Sequence, residues 1–273
     1  MTANAQAIIQ RFNARVWEGP GQTVVLGHGL GTDQTAWDHQ IKALTAAGYR
    51  VVAFDFAGAT PQSASHFSPL HHKTLYGFAE DLLVLMQVLD LPPATFVGHS
   101  VSGMIGVLAA VAEPPRFKSL VLLGASPRYT NDPATAYVGG FTQEQVDRIL
   151  QAAAGDYAAW ANGFAQQVLG DSTSYLSADE FASHLLGLRP DIVHATLTAV
   201  FLSDHRSEVD RLTVPLTVLQ ARHDFAVPWS VAQWLAQHGR ARELMEIAAN
   251  GHMPHITAPE VVTAALLRCL AKD

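Results

Sequence analysis

From Thr23 onward, short runs of continuous apolar residues alternate with stretches in which apolar side chains return every three or four positions. Thr23-Val24-Val25-Leu26-Gly27 reads as a strand buried on both faces, and it breaks into the glycine-punctuated loop His28-Gly29-Leu30-Gly31-Thr32. A helix is predicted over residues 34–47, where Trp37, Ile41 and Leu44 recur at helical spacing, and Gly48 stops it. Arg50 to Asp55 is the next predicted strand; a connection rich in Gly, Pro, Ser and His follows over 57–72, then a helix over 74–90 that ends before Pro92-Pro93. Strand 94–98 leads into a helix after Ser100, and strand 119–124 follows. Near-continuous apolar strands separated by helices predict a mainly parallel sheet covered on both faces, an α/β layer architecture.

The rhythm changes between 130 and 206, where no strand-like run occurs and helices are predicted over 141–154, 157–169, 178–186 and 191–202. Strands resume at 214–220 and 243–248, before a terminal helix. The economical reading is an α/β core, residues 1–130 and 207–273, with a helical lid inserted over 131–206. The apolar inner faces of that lid would roof a cavity.

Gly98-His99-Ser100-Val101-Ser102 lies between a predicted strand and a predicted helix, the context of a nucleophile elbow. The last glycine of the G-x-S-x-G pattern is replaced by Ser102, with Gly103 next. A serine hydroxyl attacks an ester efficiently only when a base takes its proton and that base is held in one tautomer. His252, in the loop before the terminal helix, is the candidate base; Asp224, directly after strand 214–220, is its candidate partner. Each residue alone has a plain reading as a turn, cap or surface group. Together they follow the chain order Ser, Asp, His and fall where successive strands end. The backbone N–H groups of Leu30 and Val101 are candidate oxyanion donors.

The remaining histidines receive structural readings. His28 and His99 are expected to brace the loops around the serine, and His66, His71 and His72 to be solvated in their polar connection. No metal site is expected from His252, His255 and Asp224, because no H-x-H or H-E-x-x-H pair occurs. Neither a dinucleotide glycine fingerprint nor a phosphate-binding loop occurs either, so no cofactor is expected. A net charge of −7 with 17 dispersed basic residues argues against a nucleic-acid surface. No apolar stretch is long enough to span a membrane and no leader pattern opens the chain, so a cytoplasmic enzyme is expected. Cys269, the single cysteine, reads as a structural thiol on the terminal helix.

His28-Gly29-Leu30-Gly31-Thr32-Asp33-Gln34 through Trp37, Gly98 to Gly106, and Gly251-His252-Met253-Pro254-His255 resemble segments of the RsbQ-type bacterial stress-signalling hydrolases and of the plant karrikin and strigolactone receptors. The likeness continues through Ser126-Pro127-Arg128-Tyr129, Tyr137 to Phe141, Arg189-Pro190-Asp191-Ile192 and Phe201 to Arg206. This resemblance implies an α/β-hydrolase fold with four lid helices in a V over a deep, mostly apolar pocket. It also implies slow hydrolysis of a small hydrophobic ester or lactone, sometimes coupled to signalling through a partner protein. By position, Phe164 and Phe201 correspond to pocket walls, and Phe141 and Trp160 help to form the lid above the substrate. Leu30 stands at the pocket mouth where relatives commonly carry phenylalanine, and His205 follows the bacterial pattern. Two alternatives stay open: a ligand receptor with incidental hydrolysis, and a hydrolase of carbon-carbon bonds in diketones. Natural substrate and oligomeric state are not legible at this level.

Overall fold

The computed structural model describes residues 3–169 and 176–272. Its apolar runs become strands of one sheet: β1 Arg15–Trp17, β2 Thr23–Gly27, β3 Arg50–Ala53, β4 Ala94–His99, β5 Phe117–Leu123, β6 Leu216–His223 and β7 Glu243–Asn250. Their spatial order is β1-β3-β2-β4-β5-β6-β7, with β1 antiparallel to β3 and every other neighbour parallel. The strands read as continuous apolar runs because helices cover both faces. Val24, Leu26 and Val97 pack with Trp37, Ile41, Leu44, Val262 and Leu266 on one side. Val25, Phe96 and Leu122 pack with Phe78, Leu82, Met104 and Leu108 on the other. Burying a leucine such as Leu82 contributes about 2 kcal/mol, so these two layers dominate the stabilisation of the sheet.

The covering helices are α1 Ala3–Arg11, α2 Asp38–Ala46, α3 Leu75–Val88 and α4 Val101–Ala112 in the first half. Between β5 and β6 come the inserted helices α5 Gln143–Gly155, α6 Tyr157–Leu169, α7 Ala178–Leu186 and α8 Pro190–Phe201. After them lie α9 Arg206–Arg211, α10 Trp229–His238, α11 Pro254–Thr257 and α12 Pro259–Leu270. Thr142 with Gln145 and Ser177 with Glu180 form capping boxes that start α5 and α7. Arg128 bonds Asp204 at 2.8 Å and Arg206 bonds Asp132 at 2.9 Å, so the entering and leaving stems of the helical insertion are clamped together.

Several elements depart from the sequence reading. The helix predicted over 34–47 is a 3₁₀ turn, Gln34–Trp37, followed by α2, because the Asp33 carboxylate accepts from the Thr35 N–H and tightens the entry. The first stem of the insertion, read as free of strand structure, carries two isolated bridges, Thr130↔Phe141 and Asp132↔Tyr137. Among the described residues, no helix is long and apolar enough to cross a membrane.

Candidate active site

Ser100 stands between β4 and α4 with φ 55° and ψ −121°, a conformation a non-glycine residue adopts only when its surroundings enforce it. The enforcement is steric. A side chain on Gly98 would come within 2.6 Å of the Ser102 carbonyl group, so the turn closes only with glycine there. The bend presents the Ser100 hydroxyl to His252, whose Nε2 accepts from it at 2.8 Å. His252 Nδ1–H donates to Asp224 Oδ2 at 2.8 Å. As a carboxylate, Asp224 only accepts, which places the imidazole proton on Nδ1 and leaves Nε2 free to receive the serine proton. The Ala226 and Val227 N–H groups donate to Asp224 Oδ1 at 2.9 and 3.1 Å, and Gln220 donates to Oδ2 at 3.1 Å.

The backbone of His252 is held at both ends. Its N–H donates to Val168 of α6 at 2.9 Å, and its carbonyl accepts from His99 Nε2–H at 2.8 Å. His28 donates from Nδ1 to the Gly29 carbonyl at 2.9 Å and accepts the Phe56 N–H on Nε2 at 3.1 Å. Both histidines therefore brace the loops around Ser100. The N–H groups of Leu30 and Val101 donate to no protein acceptor among the described residues. Val101 opens α4, where first-turn N–H groups are left free and the helix dipole favours negative charge.

Burial lowers the imidazoles of His28 and His99, and it takes His255 down to about 3, so these rings stay neutral around His252 at pH 7. His255 lies between Trp37 and His99, and neither of its ring nitrogens has a partner. A group whose folded pKa is depressed in this way lends full stability above its unfolded value, about 6.5, and loses it as pH falls towards the folded value. His255→Phe is expected to narrow the drop in Tm between pH 7 and pH 5. Thermal denaturation at the two pH values checks this, and an unchanged drop would count against a buried neutral ring.

The expectation for the histidine-rich connection requires a correction. His66 is exposed and His71 partly so, but His72 is fully buried. The chain folds back on α3, and His72 Nε2–H donates to Asp81 at 3.1 Å while the Ser68 N–H donates to His72 Nδ1 at 2.9 Å. His71, His72 and Asp81 form a tight group with metal-ligating atoms. Its donor set does not suit a cation: the Ser68 bond leaves the proton on Nε2, and the Arg11 guanidinium bonds both Asp81 oxygens, at 3.2 and 2.9 Å.

Phe141, Trp160, Phe164 and Phe201 come together along one groove that also includes Phe225 and spans about 990 Å³, its open mouth included. Leu30 and Val101 line a different, narrower apolar cavity with Phe56, Phe78, Leu188 and Ile192. Ser100 lines neither space and is 7% exposed. Phe225 lies 6.3 Å from Phe164 and 6.4 Å from His252, and Tyr129 lies 4.9 Å from Phe201.

Sequence reasoning missed Phe225 and Tyr129 as site residues. Phe225 directly follows the acid Asp224, which was the signal available. The Tyr129 hydroxyl interacts with Ser100, and burial raises its pKa well above that of an ordinary phenol. Its signal was its place in the loop after the β5 carboxyl end, the sheet edge where such sites assemble.

A parallel sheet, a strained serine at a strand-to-helix bend and a buried Ser-His-Asp relay together define a serine hydrolase. Residues 22–259 match the family model described as alpha/beta hydrolase fold. A probable esterase of Oryza sativa subsp. japonica is 40% identical over 259 residues, covering 94% of each chain. Karrikin insensitive 2 receptor CA of Petunia hybrida is 38% identical over 97% of each chain. Among solved structures, a hydrolase from Oleispira antarctica superposes with a TM-score of 0.93 at 28% identity, covering 98% of both chains. The chain belongs to the α/β-hydrolase family, within the branch that holds the plant karrikin insensitive 2 receptors and strigolactone esterases.

Proposed function

We propose that the protein hydrolyses a small hydrophobic carboxylic ester or lactone through an acyl-enzyme on Ser100, with His252 as general base and Asp224 as its orienting acid. The hydrogen-bond chain from Ser100 through His252 to Asp224 carries this reading. His252 takes the serine proton while Oγ attacks the carbonyl carbon, and the N–H groups of Leu30 and Val101 stabilise the oxyanion. The leaving oxygen departs with the proton from His252, which then activates water to release the acid and restore the serine. Phe141, Trp160, Phe164 and Phe201 would hold the apolar part of the substrate, with Phe225 between their groove and the base.

The receptor relative favours a second reading, in which turnover is slow and a protein partner reads the ligand-bound lid, at a cytoplasmic site of action. A panel of 4-nitrophenyl acetate, an unsaturated five-membered lactone and a β-diketone separates the possibilities. We expect multiple turnovers on the ester and the lactone. Single turnover with ligand-dependent partner capture would favour the receptor. Cleavage of the diketone alone would replace ester hydrolysis with carbon-carbon bond hydrolysis.

A further inference from the structure

Where the elbow pattern calls for its final glycine, this chain has Ser102, and that side chain is fully buried. Its hydroxyl donates to the backbone carbonyl of His28, a residue 74 positions away in the loop after β2. The space it occupies is kept open by glycine. Gly27 and Gly98 are register partners on β2 and β4, and a side chain on Gly27 would come within 3.0 Å of the Ser102 Cβ.

The two ends of this bond lie beside the two free N–H groups. Ser102 is adjacent to Val101 on α4, and His28 precedes Leu30 by two residues. From His28 onward the loop is held by its own hydrogen bonds. The Gly29 carbonyl accepts from the Thr32 N–H at 3.3 Å, the Thr32 hydroxyl at 2.9 Å and His28 Nδ1 at 2.9 Å. Because a trans peptide points its N–H opposite its carbonyl, fixing the Gly29 carbonyl fixes the direction of the Leu30 N–H. These bonds orient the loop internally, whereas the Ser102 hydroxyl joins it to the helix carrying the second donor.

We propose that Ser102 is a positioning residue that sets the separation between the Leu30 and Val101 donors by tying α4 to the His28 carbonyl, a role that rests on the hydrolase reading. Removing the hydroxyl frees the loop to drift from the helix, and the loss falls on the transition state, where the oxyanion forms. Loss of an entire donor costs on the order of a hundredfold to a thousandfold in kcat, so a displaced donor should cost about tenfold or more.

Ser102→Ala and Ser102→Gly test this with 4-nitrophenyl acetate as substrate and phenylboronic acid as inhibitor. The boron accepts the Ser100 oxygen while the serine proton passes to His252, giving a tetrahedral anion that needs the donors and has no leaving group. Titration with a fluorophosphonate counts folded, reactive sites, so misfolded protein does not enter the rates. Both variants are expected to show a kcat about tenfold lower per titrated site, KM within about twofold, and boronate inhibition weakened by the same factor as kcat. Unchanged kcat and boronate affinity per site would overturn the role of Ser102 while leaving the hydrolase reading intact. A wild-type protein that neither turns over the ester nor reacts with the fluorophosphonate would overturn both.

Discussion

Ser100→Ala is expected to lower kcat on an aryl ester by about a millionfold, as loss of a serine nucleophile does in a triad enzyme. The size follows from what remains. His252 would keep its bond to Asp224, but no oxygen would stand at 2.8 Å from Nε2 to give up its proton. The free N–H groups of Leu30 and Val101 could still polarise a carbonyl, which is why residual catalysis of about a thousandfold over water survives in such variants. The fold should tolerate the change, since alanine removes one oxygen and leaves the φ 55° strain as it was. Ligand affinity, read by thermal shift with an apolar non-hydrolysable ester analogue, should therefore stay within about twofold. Mass spectrometry during turnover supplies a second readout: an acyl adduct on the Ser100 peptide of the wild type and none in the variant. Wild-type rates in the variant, or an adduct on Ser102, would move the nucleophile elsewhere.

The same residues explain why the site was partly legible from sequence. Ser100, Asp224 and His252, which the structure brings together, stand out as candidates because each follows a strand with an apolar signal, β4, β6 or β7, and because they fall in the order Ser, Asp, His. The strands covered on both faces, such as β2 with all five residues buried, give that signal without ambiguity. β1 does not. It is a three-residue edge strand with an exposed first position, and nothing in Arg15-Val16-Trp17 distinguishes it from a loop. In α10 only Val231, Ala232 and Leu235 are buried, among Ser230, Gln233 and Gln237, which dilutes its apolar stripe. His72 and Tyr129 were misread or missed for a shared reason: their environments come from chain segments folding back on the core, and local composition says nothing about them. A polar connection can hide a fully buried imidazole when a carboxylate such as Asp81 and a guanidinium such as Arg11 wait on neighbouring helices. The aromatic groove residues, at helical spacing, carry the same pattern as ordinary packing.

The second large effect concerns the acid. Asp224→Asn is expected to reduce kcat by about ten thousandfold although it changes one atom and almost no volume, by analogy with the same substitution in a serine protease. The hydrogen bonds around the carboxylate decide how an amide would sit. Oδ1 receives two backbone N–H donors, from Ala226 and Val227 at 2.9 and 3.1 Å, and neither donor can turn away. The asparagine oxygen must take that place, because an amide nitrogen there would face two donors without an acceptor. Its NH₂ group then points at His252 Nδ1, where Oδ2 accepted at 2.8 Å, and at Gln220, which also donates to Oδ2. To accept from the amide, His252 must shed the proton on Nδ1 and carry it on Nε2, the nitrogen that has to receive the Ser100 proton. The base is therefore present, close and in the wrong tautomer. Raising the pH should restore part of the rate, because hydroxide can remove the serine proton without help from the ring. We expect the activity of the variant to keep climbing above pH 9 while the wild type levels off. Equal pH profiles, or a loss below about tenfold, would mean that Asp224 does not govern the protonation of His252.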